Sequence, residues 1–127
     1  VKLSGKTAVV TGGASGIGEA VARRFSKEGA AVHIVDLNAE NAKRVATEVN
    51  GIAHVCDVAD EAATAAAFAA IPRVDVLVNS VGMAHVGRLD NTSPEAFDQL
   101  YRVNVRSFYI AMREAVAKMK QSGGGAI

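Results

Sequence analysis

The sequence predicts an α/β fold in which helices cover both faces of a parallel sheet, and three observations predict it. Short β-rich apolar runs alternate with amphipathic helical stretches from the first residues onward. Half of the residues are hydrophobic and only 5% are aromatic. The interior therefore has to be aliphatic, which suits strands buried on both faces beneath Ala-rich helices. Finally, a glycine-rich turn from Gly12 to Gly18 joins the first apolar run to the first helical stretch. Residues 1–127 are read as one domain, since no linker, repeat or low-complexity segment divides them.

Lys6 to Val10 is the first strand. Over Gly16 to Glu28 the apolar residues Ile17, Val21 and Phe25 recur every four positions, a helical stripe, and Gly29 stands where a C-cap is expected. Ala31 to Val35 forms the second strand, ending at Asp36. Asn38 caps a second helix with Ala42, Val45, Ala46 and Val49 as its inner face, and Ile52 to Val55 forms a third strand. Asp60 opens an Ala-rich helix that closes before Pro72, and Val74 to Val78 is the fourth strand. A polar loop from Gly82 to Ser93 follows. Ser93 then caps, and Pro94 starts, one long helix to about Gln121, with Phe97, Tyr101, Phe108, Met112, Ala115 and Met119 facing inward.

Strand–helix–strand units at this spacing imply right-handed crossovers. The architecture is thus a Rossmann-type doubly wound sheet of order 3-2-1-4, with its ligand crevice at the carboxyl ends of strands one and four. Ala126-Ile127, after Gly123-Gly124-Gly125, reads as the start of a fifth strand. The domain is therefore expected to be truncated at that end, with the edge of strand four left uncovered.

Composition narrows the function classes. A net charge of +1 without a basic run excludes nucleic acid as an implied partner. No stretch of about 18 apolar residues argues for a membrane span. Cys56 is the lone cysteine, so no intrachain disulfide forms and a reducing, cytoplasmic setting is expected. His33, His54 and His85 lack metal-ligand spacing, and no metal site is expected.

Glycines at 12, 16 and 18 let the backbone turn tightly and approach a pyrophosphate, whose charge the helix N-terminus favours. Asp36 follows Gly18 by 18 residues, at the end of the second strand. A carboxylate there can accept hydrogen bonds from both adenosine ribose hydroxyls and would repel a 2′-phosphate. The spacing is Gly-x3-Gly-x-Gly rather than Gly-x-Gly-x-x-Gly. Asn104 falls on the inward stripe of the long helix, where an amide has to be hydrogen-bonded.

Thr11 to Gly18 resembles the T-G-x-x-x-G-x-G signature of the short-chain dehydrogenase/reductase family. So do Asn79-Ser80-Val81-Gly82, where that family has N-N-A-G, together with Asp57 after the third strand and Asn104 in Val103-Asn104-Val105. Ser80 and Val81 depart from the family's Asn and Ala. The resemblance implies an NAD(H)-dependent oxidoreductase that transfers hydride between nicotinamide and an alcohol or carbonyl substrate. Gly12, Ser15, Gly16, Ile17 and Gly18 would line the pyrophosphate side, and Asp36 with Leu37 the adenosine ribose. Asp57 and Val58 would meet the adenine, and Asn79, Ser80, Val81 and Gly82 the central region. Ser15 and Leu37 stand where NADP-preferring members carry a basic residue, so NAD is the expected cofactor.

The resemblance further places Asn104 in the catalytic tetrad. The tetrad's Ser, Tyr and Lys follow the family's fifth strand and are absent from this chain, which is expected to be inactive alone. Tyr109 and Arg113 echo Y-x-x-x-K on the wrong helix, and Arg cannot replace a titrating Lys. A homo-oligomer through the long helix or the strand-four edge is expected. The alternative is a non-catalytic NAD-binding or assembly module.

Overall fold

The computed structural model describes residues 1–127. Four parallel strands, β1 (Thr7–Thr11), β2 (Ala31–Asp36), β3 (Ile52–Val55) and β4 (Val76–Asn79), form one sheet of order β3-β2-β1-β4, the order expected of the doubly wound topology. Around it lie α1 (Gly16–Lys27), α2 (Ala39–Glu48), α3 (Glu61–Ala69), α4 (Pro94–Tyr101) and α5 (Ser107–Ser122). Alternation along the strands divides the core into two layers. Val10, Val32 and Ile34 pack with Ala22 of α1, with Ala42, Val45 and Ala46 of α2 and with Val49 at its C-terminal cap. Val9, Val35 and Leu77 pack on the opposite face with Phe68 of α3 and with Ala111, Ala115 and Met119 of α5. Cys56 is buried in this second layer, where desolvation pushes its thiol above the usual range and keeps it a small apolar filler.

Side chains cap three of the helices. The Asn41, Ala63 and Ala96 N–H groups donate to Asn38 Oδ1 (2.9 Å), Asp60 Oδ1 (3.0 Å) and Ser93 Oγ (3.1 Å). Strands β1 and β4 lie one or two residues nearer the C-terminus than the apolar runs suggest. Asp75 explains the shift at β4: it is buried, and its Oδ2 accepts the Thr7 N–H at 2.9 Å. The Arg73 guanidinium beside it holds its carboxyl below the usual carboxylate range. Asp75 thereby anchors the start of the strand, and the register carries Thr11 opposite Asn79 at the other end.

The long helix is not regular. Between α4 and α5, Arg102–Arg106 forms a π-helical segment that inserts one residue beyond the α repeat. The inward stripe is corrected accordingly. Phe97 and Tyr101 are 62% and 53% exposed, and Phe108 and Met112 are half-buried, while Ala115 and Met119 are buried as expected. A 3.6-residue period carried back from Ala115 lands one position late, because the π segment absorbs the extra residue. The inward face instead runs through Ala96, Leu100, Ser107 and Ala111. Ile17 also leaves its predicted stripe, being 80% exposed, because the first turn of α1 faces open crevice rather than sheet. The outer edge of β4 is partly covered: Ala126 bridges Val76 in parallel, and the Leu77 N–H donates to the Ala126 carbonyl at 2.9 Å.

Candidate cofactor cleft

A cleft of about 380 Å³ opens at the carboxyl ends of β1, β2 and β4. Its walls are Gly12, Ser15, Gly16, Ile17, Asp36, Ser80, Val81 and Gly82, eight of the residues singled out from the sequence. The glycine turn gains its shape from contacts that exclude side chains. Gly12 has φ +68°, and a Cβ there would lie 2.7 Å from the Ser80 carbonyl oxygen. A Cβ on Gly18 would lie 2.1 Å from the Gly12 carbonyl oxygen, so the first helical turn can close onto the loop only with glycine present. Gly18 is therefore a packing residue beneath the cleft, not one of its walls.

Ser15 is the N-cap residue of α1, yet its side chain makes no capping hydrogen bond. The helix start thus presents its N–H groups to the cleft, which suits an anion. Beside it, Asp36 Oδ2 accepts the Ala14 N–H at 3.1 Å and Oδ1 accepts the Asn38 N–H at 2.9 Å. A cleft that sets helix N–H donors beside a carboxylate fits a dinucleotide's phosphates and ribose.

The other sequence candidates stand around this cleft without lining it. Leu37 is exposed beside Asp36. Asp57 Oδ1 accepts the Ala59 N–H at 3.0 Å, and the Val58 side chain is buried in the core. Asn79 Oδ1 lies 3.5 Å from the Thr11 hydroxyl at the end of β1. Asn104 faces Met83: its Oδ1 accepts the Met83 N–H and its Nδ2 donates to the Met83 carbonyl, each at 2.8 Å. The amide is half-buried and fully satisfied, and it ties the π segment to the loop that follows β4. Further along that loop, His85 Nε2 lies 3.0 Å from Thr92 Oγ1.

Thr11, read from the sequence only as the first residue of the glycine motif, closes β1 and supports the cleft. It is buried, and its hydroxyl lies 3.4 Å from the Val78 carbonyl and 3.5 Å from Asn79 Oδ1, while the Ser80 N–H reaches it at 3.3 Å. This hydroxyl ties the end of β1 to the end of β4, where the cleft-lining segments begin. Its place at the head of the glycine motif was the available signal.

The family model described as short chain dehydrogenase matches residues 6–127. A D-threitol dehydrogenase of Mycolicibacterium smegmatis is 39% identical over 99% of this chain and 52% of its own length. Among solved structures, a 3-ketoacyl-(acyl-carrier-protein) reductase of Brucella melitensis complexed with NADH superposes with a TM-score of 0.89 at 38% identity, covering 95% of this chain and 53% of that one. A 7α-hydroxysteroid dehydrogenase complexed with NADH and 7-oxo glycochenodeoxycholic acid gives a TM-score of 0.93 at 30% identity, with 99% and 54% covered. The chain spans about half the length of the curated relatives it matches.

Proposed function

The chain belongs to the short-chain dehydrogenase family, and from that premise we propose that it forms the cofactor-binding part of an NAD(H)-dependent oxidoreductase acting on an alcohol or carbonyl substrate. The observation that carries this reading is that the uncapped start of α1 and the Asp36 carboxylate line one cleft. Bound there, the nicotinamide cofactor would supply hydride chemistry. The N–H groups around Ser15, Gly16 and Ile17 would hold its pyrophosphate, with Gly12 and Gly18 shaping the turn. Asp36 would accept from the adenosine ribose, flanked by Leu37, and its charge would repel a 2′-phosphate at close range. Asp57 and Val58 would border the adenine, and Asn79, Ser80, Val81 and Gly82 the middle of the cofactor.

The choice of NAD over NADP rests on Asp36 and on the absence of a cation at Ser15 and Leu37. The NADH held by the two superposed structures is in keeping with it. Asn104 is proposed as a member of the catalytic tetrad, acting from its fixed place beside Met83. Neither Tyr101 nor Tyr109 lines the cleft, so the 127-residue chain is proposed to bind cofactor without turning over substrate. An exposed apolar row along the long helix, Phe97, Tyr101, Val105, Tyr109 and Val116, is proposed as a homo-oligomer contact.

Titration with NADH and with NADPH, followed by nicotinamide fluorescence, tests the cofactor reading. NADH is expected to bind about tenfold more tightly or better, a difference of roughly 1.4 kcal/mol. Equal binding, or a preference for NADPH, would reject the role given to Asp36.

A further inference from the structure

The Asp36 carboxylate is already at work in the protein without ligand. Its two oxygens engage two separate loops, Oδ2 taking the Ala14 N–H of the glycine turn and Oδ1 the Asn38 N–H at the start of α2. Ala14 is only 1% exposed, and its N–H finds no other acceptor. A buried N–H of this kind is costly to leave unpaired. Only one other hydrogen bond pins the turn to β2, from the Gly12 N–H to the Val35 carbonyl at 2.8 Å. The Asp36 bond lies two residues further along, next to the uncapped N–H groups of α1.

We propose that Asp36 is a positioning residue for the glycine turn as well as the partner of the ribose, so that adenosine recognition and the phosphate cradle are set by one carboxylate. This rests on the NAD(H) reading above and deepens it. If the carboxylate only repelled a 2′-phosphate, its removal would admit NADP(H). With the turn depending on it, removal weakens the cradle that both dinucleotides share.

Two measurements test the tie. Hydrogen exchange of the Ala14 amide, in the full chain without cofactor, is expected to be slow and to accelerate about tenfold in Asp36→Ala, the loss of a bond worth ~1.4 kcal/mol. Asp36→Asn, which keeps a carbonyl oxygen as acceptor, is expected to retain part of the protection. The second measurement leaves the carboxylate intact. Cys56 provides a ligation junction, so residues 1–55 can be made with the amide at position 14 replaced by an ester and joined to the rest of the chain. That protein is expected to bind both NADH and NADPH about tenfold more weakly while keeping its preference between them. Unchanged Ala14 exchange in Asp36→Ala, or unchanged NADH affinity in the ester protein, would overturn the proposal. Should the unmodified protein bind neither dinucleotide, the NAD(H) reading falls, while the exchange measurement still decides whether Asp36 holds the turn.

Discussion

Gly18 has no room for a methyl group, with the Gly12 carbonyl oxygen 2.1 Å from where a Cβ would sit. Gly18→Ala is therefore expected to displace the glycine turn, lower stability by ~1–3 kcal/mol and abolish NADH binding. Urea denaturation and nicotinamide fluorescence measure the two effects. Asn104 makes the opposite argument, because its importance lies in bonds made rather than space withheld. Asn104→Ala removes both hydrogen bonds to Met83 and leaves that backbone to find water. The expected loss is ~1–3 kcal/mol by denaturation, with faster exchange of the Met83 amide. That Asn104 needed partners was legible from its place in an inward stripe. That both partners belong to Met83 was not, since the residues lie 21 positions apart and meet only through the fold.

At the scale of elements, the π segment Arg102–Arg106 decides which side of the long helix faces the core. Deleting Val105 removes the extra residue and should let the segment close into regular α-turns. Helix content by circular dichroism is expected to persist and α4 to keep its present face, while Asn104, inside the shortened segment, rotates away from Met83 and their pair is lost. Protease cleavage within Gly82–Ser93 would rise as that loop comes free. Between β2 and β3, His33 Nδ1 lies 2.9 Å from His54 Nε2, and the rings stack with centroids 5.2 Å apart. Burial lowers the pKa of both rings, and the neighbouring His54 lowers His33 further. The unfolded chain, with histidines titrating near 6.5, then binds more protons than the folded one as the pH falls. The stabilisation is accordingly complete above about pH 6.5 and declines below it. Melting temperatures between about pH 5 and 7.5 should follow this course, and His54→Gln should flatten it.

For the whole molecule, the cleft at the carboxyl ends of the strands has no tyrosine in its walls. The purified 127-residue chain is expected to bind NADH yet show no oxidation of an alcohol at saturating NAD, followed by absorbance of the reduced nicotinamide. Turnover by this chain would require an acid–base group other than a tyrosine–lysine pair. The exposed row from Phe97 to Val116 belongs to the same scale, because it leaves large side chains in water that could gain about 1.5–3 kcal/mol each if fully covered. Sedimentation is expected to show association that Tyr109→Glu weakens.

The order of elements, the strand order β3-β2-β1-β4 and the two-layer aliphatic core were settled by the sequence alone. The elements and the core follow from local periodicity and caps, and the strand order from the doubly wound topology that alternating strands and helices imply. The glycine spacing and Asp36 likewise located the cleft, because they lie at the ends of adjacent strands in any sheet of that order. Only the tertiary structure decided which of those residues line the cleft and which support it. Thr11 bridging to Asn79, Asp36 holding Ala14 and Asn104 holding Met83 are contacts between segments distant in the chain. A hydrogen bond between residues so far apart in the chain leaves no periodic trace. The π segment escaped for a related reason: one inserted residue changes the helix phase without changing its composition. That single residue moved Phe97 and Tyr101 from the expected core to the surface.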